Sequence, residues 1–370
     1  MKKDLSYFFR SFTDFIFRKR TAALVFAKIG GSLVGLSAVA SLVVSVTYQG
    51  QYGFFEIEYH SSSTPKLIIL ISFVLGASLI FISLAWELIR YRSEYQILKK
   101  RKTIVIEQRG LVDTKDESLA EHVRKTRKIQ VDSILVDIRE RLIDNVISEP
   151  EIALDKVFNL KHSLKEKINS LDVSDINVIY GGIMPVPFAF LTGYLLDDES
   201  SVEIIDWDRD ASAWRELDSD DDSEQFRVDV ENQKTCNGAV IAVSFSYPVD
   251  KAAINSAFPS LPHHYLSLND VSRNNHWSKQ KQSRLAGEFF EYCKKLAGQG
   301  VEHIHLILAS QNSVAFRFGQ IYDKRNLPSI TVYQYERSHT LKYPWGVRIP
   351  QQPKVKPYIK TLELSETAII

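Results

Sequence analysis

The chain has 370 residues, of which 45% are hydrophobic and 25% charged, and its formal net charge is +1. That length suits more than one domain, and the near-zero charge excludes a global footprint for long nucleic acid, so charge has to be read locally. Two cysteines, Cys236 and Cys293, exclude a disulfide scaffold or a cysteine-based zinc site and fit a reducing compartment.

Two apolar runs stand near the N-terminus. The first, IGGSLVGLSAVASLVVSVTY from Ile29 to Tyr48, extends back to Ala22 if Lys28 snorkels, and predicts a membrane helix over about 22–48. The second, LIILISFVLGASLIFISLAW from Leu67 to Trp86, predicts another over about 67–89. Each run holds ~20 uncharged residues, the length that crosses ~30 Å of hydrocarbon. A cleaved signal peptide fits the first run poorly: the preceding region is long, polar and aromatic, and no small-residue cleavage site follows.

Lys2, Lys3, Arg10, Arg18, Lys19 and Arg20 precede the first run, and Arg90, Arg92, Lys99, Lys100, Arg101 and Lys102 follow the second. The loop QGQYGFFEIEYHSSSTP between them has no lysine or arginine. The positive-inside rule therefore predicts a multi-pass region over 1–90 with both termini cytoplasmic. Small residues recur at Ala27, Gly31 and Gly35 and at Ser72 and Gly76, for close packing within one hairpin or for a seam between copies. Neither run holds an Asp, Glu or His to mark an ion path, which disfavours a transporter.

Residues 91–149 read as a connector. TIVIEQRGLVDT (103–114) fits a strand pair or a frayed helix. Val131, Ile134, Leu135, Ile138, Leu142 and Val146 recur at helical spacing and predict an amphipathic helix, which packs on the next domain or forms a self-association coil. From 150 to 370 the pattern alternates. Helices are expected over 152–169, 187–196, 250–257, 278–298 and 313–325, and strands over 176–181, 202–207, 239–247, 264–268, 303–309 and 330–335. Alternation of this kind makes an α/β domain with parallel sheets covered on both faces. FAFLTG (188–193) returns as VAFRFG (314–319), and VEIIDWDR (202–209) as ITVYQYER (330–337). Two repeats, about 172–217 and 300–350, thus predict two Rossmann-like halves.

In such sheets ligands gather at the carboxyl ends of strands, here GGIMPVP (181–187), SFSY (244–247) and ASQNS (309–313). No P-loop, dinucleotide fingerprint or nucleophile elbow is present. His303 and His305 share a strand face but lack a third ligand, His263 and His264 point to opposite faces, and Ser244 and Ser246 lack an obvious base. The acidic run DSDDDSE (218–224) lacks calcium-loop spacing and is expected to be a solvated, mobile loop. No catalytic residue, metal or cofactor is expected. A membrane-anchored enzyme on a nucleotide or nucleotide-sugar is the alternative, and would have to use Asp206, Asp208 or Glu336.

What the strand ends do offer is aromatic rings beside cations. Trp207 and Arg209 close the first repeat, Tyr335 and Arg337 the second. Tyr247 ends the central strand, and Trp277 opens the long helix with Lys279 and Lys281. Rings stack bases while Arg and Lys neutralise phosphates.

HIHLILAS, VAFRFGQIY and ITVYQYER, together with the repeat, make residues 150 to 350 resemble the SAVED domain, two fused CARF-like halves that act as sensors in CBASS anti-phage systems. With two membrane helices in front, the chain looks like the membrane-anchored subclass of these effectors. The resemblance implies a non-enzymatic protein of the bacterial inner membrane that binds a cyclic di- or trinucleotide from a cognate nucleotidyltransferase, forms homo-oligomers on ligand, meets membrane lipid and disrupts that membrane. The expected ligand-binding residues are Gly181, Gly182, Met184, Trp207, Arg209, Ser246, Tyr247, Trp277, Ser310, Gln311, Asn312, Tyr335 and Arg337. Phosphates are placed near Gly181, Gly182, Ser310 and Asn312, and bases on Trp207, Tyr247, Trp277 or Tyr335.

Overall fold

The computed structural model describes residues 22–40, 43–49, 54–60, 66–100, 102–110, 117–143, 146–168, 176–196, 202–232, 236–323, 326–352 and 355–362. The chain divides into two compact units, residues 1–100 and 101–370. The basic residues between 2 and 20, expected to set orientation, lie outside the described residues.

The first unit contains helices α1 (Ala22–Ala40) and α2 (Lys66–Lys100). The first predicted span was drawn too long. Val43–Gln49 (β1) is not helical but pairs antiparallel with Phe54–His60 (β2), Val43 opposite His60. VVSVTYQ and FFEIEYH are rich in β-branched and aromatic residues, which favour a pleated pair over a continued helix. Among the described residues one helical stretch, Leu67–Arg92, is long and apolar enough to cross a membrane, and the apolar part of α1, Val25–Ser37, is shorter. At 19 residues α1 as a whole still spans ~28 Å. The two helices touch at Gly30 and Gly76, where an added Cβ would stand 2.7 and 2.8 Å from the opposite glycine carbonyl. Gly31 and Gly35 have nothing within 4 Å. The hairpin contact therefore lies one residue away from the stripe that spacing picked out on α1.

The second unit holds two sheets. The first has the order β4-β3-β7-β8-β9, with β3 at Lys102–Arg109, β4 at Val131–Asp137, β7 at Ile176–Ile183, β8 at Glu203–Asp208 and β9 at Ala213–Glu216. All its pairs are parallel except β8 with β9. The expected amphipathic helix over 131–146 is corrected: it is β4, a 3-10 turn at Arg139–Arg141, and the short pair β5 (Leu142–Ile143) and β6 (Val146–Ile147). Ile134, Val136 and Ile138 are buried while Leu135 is 54% exposed, so the operative period is two. Ile134 and Ile138 satisfy both periods, which is why helical spacing could be read there. The segment before residue 150 thus supplies two strands of this sheet. Helix α3 (Leu119–Arg127), capped by Ser118, packs against β3 and β4. The helix expected over 152–169 is two, α4 (Pro150–Phe158) and α5 (Leu160–Ile168), separated at Asn159.

The second sheet has the order β10-β12-β11-β13-β14-β15-β16. Its strands are β10 (Arg227–Glu231), β11 (Gly238–Ser244), β12 (His263–Ser267), β13 (His303–Ala309), β14 (Ser329–Tyr333), β15 (Trp345–Ile349) and β16 (Tyr358–Thr361). The four central strands are parallel, with antiparallel β10 at one edge and β15 and β16 at the other. Helix α7 (Lys251–Ala257) follows β11. Helix α8 (Lys279–Gly298) starts on the Ser278 cap and stops before Gly300, whose φ of +90° ends the helix at no side-chain cost.

The repeated sequence becomes two matching parallel units, β7-α6-β8 and β13-α9-β14, where α6 is Val186–Leu195 and α9 is Asn312–Ile321. Each repeated helix reaches across to the other half. Helix α6 packs on β14 and β15 and sets Phe188 against Trp345, ring centroids 5.6 Å apart; α9 packs on β7 and β8 and stacks Phe316 on Tyr180 at 4.0 Å. The main core is therefore common to both sheets, and smaller clusters fill the outer faces. Every residue of α6 from Pro187 to Leu195 is buried, as expected of a helix with no water-facing side.

The acidic run is held in place, contrary to expectation. Lys281, 2% exposed, lies 2.5 Å from Asp222 and 3.1 Å from Glu224, and Arg284 grips Asp221 through Nε and Nη2. Arg284 pulls the Asp221 carboxyl down to about 2. This loop connects the sheets along α8, and none of its residues lines the cavity described next.

Candidate functional site

A cavity of about 570 Å³ opens at the carboxyl ends of both parallel sheets, within the usual range for small-molecule sites. From the first half it is lined by Gly182 and Ile183 of β7, by Met184, Pro185 and Val186 leading into α6, and by Asp206, Trp207 and Arg209 at the end of β8. From the second it is lined by Ile307 to Ala309 of β13, by Ser310, Gln311 and Asn312 leading into α9, and by Tyr333, Gln334 and Tyr335 at the end of β14. Tyr247, Pro248, Val249, Asp250 and Tyr343 close the remaining side. Val186 and Asn312, the first residues of α6 and α9, both lie on this wall.

Strand register relates the two halves. Glu203 lies opposite Ile179, and Thr331 opposite His305, which makes Trp207 and Tyr335 equivalent positions in the two repeats. Both line the cavity. Trp207 is 9% exposed and packed edge-on to Trp214 at 5.2 Å, whereas Tyr335 is 46% exposed and stands 5.6 Å from Tyr343. Arg209 is exposed at the rim and makes no ion pair among the described residues.

Of the residues expected to bind ligand, Gly182, Met184, Trp207, Arg209, Tyr247, Ser310, Gln311, Asn312 and Tyr335 come together around this space. Gly181, Ser246, Trp277 and Arg337 do not line it. Successive strand residues face opposite ways, so Gly182 looks toward Gln108 and Asn312, while Gly181 looks toward Leu119, Trp214 and the Ile205 carbonyl. Ser246 is buried beside Tyr247. Trp277 is 4% exposed under the Arg215 guanidinium, 4.5 Å from its ring, and bounds a recess of about 10 Å³ shared with Trp207, Arg209 and Gln311. Arg337 is exposed, and its carbonyl accepts a hydrogen bond from Lys342.

Asn312 lines the cavity, but its carboxamide is already engaged. Its Nδ2 donates to the Met184 carbonyl at 2.8 Å, and its Oδ1 lies 2.9 Å from the Tyr180 hydroxyl. Next to it, Asp206 Oδ2 accepts the Ser313 amide at 3.1 Å and Oδ1 accepts the Trp207 amide at 2.8 Å. Three bonds from the first half thus grip the first two residues of α9. His276, 2% exposed, has Nε2 3.7 Å from Asp206 Oδ2. Burial lowers its pKa, and the Asp206 charge opposes that shift only in part. Burial, aided by Asp206, raises the Tyr180 phenol well above its usual value, so this hydroxyl stays protonated.

The carboxylates of the enzymatic alternative all have structural partners. Asp206 holds α9, Asp208 accepts the amides of Asp210 and Ala211, and Glu336 accepts the Trp345 indole N–H at 2.8 Å. His303 and His305 serve the second sheet: His303 contacts Ser329 and Thr331, and His305 contacts Tyr333. No group of three or more potential metal ligands occurs among the described residues.

Sequence reading missed Tyr180 and Gln108, because they lie buried beneath the cavity wall and carry no motif. It also missed Pro185, Val186, Tyr333, Gln334 and Tyr343. The equivalence of the two strand-to-helix turns could have pointed to Pro185 and Val186, the counterparts of Gln311 and Asn312.

No curated protein matches the chain. Among solved structures, it is similar to the Acinetobacter baumannii Cap4 SAVED/CARF-domain containing receptor with the cyclic trinucleotide 2'3'3'-cAAA, at TM-score 0.47 and 13% identity. That match covers 77% of this chain and 59% of the receptor. The same receptor with 3'3'3'-cAAA gives the same values, and the Moraxella osloensis Cap4 receptor gives TM-score 0.43 and 13% identity over 74% of this chain and 56% of that one. The chain therefore spans less than two thirds of each of these receptors. Residues 2–154 match the SAVED-fused 2TM effector domain, and residues 159–349 match the SAVED domain, described as the SMODS-associated and fused to various effectors sensor domain. That second match takes in just over half of the chain, which belongs to the SAVED family, with a two-transmembrane effector domain ahead of its sensor domain.

Proposed function

We propose that the chain is a membrane-anchored anti-phage effector of the CBASS type, without turnover of its own, that binds a cyclic oligonucleotide in the cavity between its two halves. The observation that carries this reading is the cavity itself: one open cleft at the carboxyl ends of both sheets, lined by aromatic rings, the Arg209 guanidinium and the first residues of two helices. Phosphates would lie near Gly182, Val186 and Ser310, with Arg209 at the rim. Bases would stack on Trp207, Tyr247 and Tyr335. Both termini would be cytoplasmic at a bacterial inner membrane.

Ligand held best by an assembled state shifts the equilibrium toward assembly. Copies brought together concentrate their membrane hairpins and open or disorder the bilayer. The ligand would be a cyclic di- or trinucleotide made by a cognate nucleotidyltransferase.

The test uses the full chain in dye-loaded proteoliposomes, with a panel of cyclic di- and trinucleotides that includes 3'3'3'-cAAA. A selective member should raise Tm by mass action and trigger dye release. A panel in which nothing shifts Tm ends the reading. Binding without larger assemblies or dye release ends its membrane half.

A further inference from the structure

Tyr180 is fully buried on β7, below the cavity and out of reach of any ligand in it. Its hydroxyl lies 3.0 Å from Gln108 Oε1 in its own half and 2.9 Å from Asn312 Oδ1 in the other. A phenol has one proton, and both neighbours are carbonyl oxygens. The Asn312 amide cannot turn over without setting its oxygen against the Met184 carbonyl, 2.8 Å from Nδ2. Gln108 is held at its other end, where Nε2 donates to Thr192 Oγ1 at 2.8 Å and Thr192 donates to the Phe188 carbonyl. In this arrangement one donor serves two acceptors, one on each side of the boundary between halves.

We propose that Tyr180 is a positioning residue for the cavity, in which Gln108 and Asn312 compete for one hydroxyl proton and its donation to Asn312 seats the first turn of α9 at the cavity wall. Gly182 covers this pair closely: an added Cβ would stand 2.9 Å from Gln108 Cβ and 3.4 Å from Asn312 Oδ1. The ring of Tyr180 carries the packing, stacked on Phe316, so the hydroxyl can be removed without disturbing that stack. The importance of that turn for ligand rests on the function proposed above; its seating by Tyr180 does not.

The competition has a signature that a merely structural role lacks. Tyr180→Phe keeps the ring and removes the donor, while Gln108→Met keeps the shape and removes the rival acceptor. In the full chain in nanodiscs, Tyr180→Phe should speed amide hydrogen exchange in the first turn of α9 by roughly five- to tenfold, the worth of one neutral hydrogen bond. Gln108→Met should slow it. With 3'3'3'-cAAA as probe, affinity should fall for Tyr180→Phe and hold or rise for Gln108→Met. Wild-type exchange in Tyr180→Phe overturns the proposal. So does faster exchange in both variants, which would mean that Gln108 donates to Tyr180 and supports it. If the wild type does not bind the probe, the functional reading suffers for that ligand, and the exchange data still decide the role of Tyr180.

Discussion

Gly193 and Gly319, 126 residues apart in sequence, form one contact seen from two sides. A Cβ on Gly193 would stand 1.9 Å from the Phe316 carbonyl, and one on Gly319 would stand 1.9 Å from that of Phe190. Phe190 and Phe316 are themselves equivalent residues of the repeat. The motif FAFLTG/VAFRFG is thus the crossing of α6 and α9, where the halves are joined, while the second repeated motif supplies Trp207 and Tyr335 to the cavity.

Gly193→Ala or Gly319→Ala should lower stability by about 3 kcal/mol or more, because backbone on both sides leaves no room for a methyl group. Gly287 sits inside α8 with nothing within 4 Å, so Gly287→Ala should instead raise stability by about 0.5–1 kcal/mol. Denaturant midpoints of the solubilised chain compare the three.

Lys281→Ala removes a buried cation and leaves Asp222 and Glu224 facing each other. We expect a loss of about 3 kcal/mol, as for a broken buried pair. The loop 218–224 should also become a cleavage site for a glutamate- or aspartate-directed protease, which limited proteolysis would show. Resistance equal to wild type would mean that Arg284 alone holds the loop.

Acid should weaken the second sheet. Burial, with the neighbouring cations, holds His303 down at about 3 and His305 at about 4. Both stay neutral in the fold while the unfolded chain takes up protons below about 6.5. Stability is therefore flat above that pH and falls from there toward about 4 and then 3. His264 and His276 shift the same way and add to the slope. At pH 5 the loss is on the order of 1–2 kcal/mol for each of His303 and His305. His305→Phe should flatten urea midpoints measured between pH 7 and 5; an unchanged slope would remove His305 from the account.

Arg209 and Arg337 occupy equivalent places in the repeat, but only Arg209 lines the cavity. With a cyclic oligonucleotide that binds the wild type, Arg209→Ala should weaken binding roughly tenfold and flatten its salt dependence. Arg337→Ala should leave both unchanged. Tyr335→Ala, at a half-exposed ring, should cost about 1–3 kcal/mol of binding with little change in Tm. Titrations at two salt concentrations decide between the arginines.

The sequence by itself determined the class of the fold: strands alternating with helices, the repeat, and the small residues at GGIMPVP and ASQNS where two strands end. These are local properties, set by side-chain period and turn chemistry, and short-range patterns record them. Only the tertiary structure decided that residues 102–137 add two strands to the first sheet, since Ile134 and Ile138 fit a helical period until Val136 and Leu135 are seen on opposite faces. Only it separated Gly182 from Gly181 and Arg209 from Arg337, because which side of a strand end meets a cavity depends on what packs against the other side. Above all, Tyr180, Gln108 and Asn312 meet across sequence gaps that no periodicity links, since each half completes the site of the other.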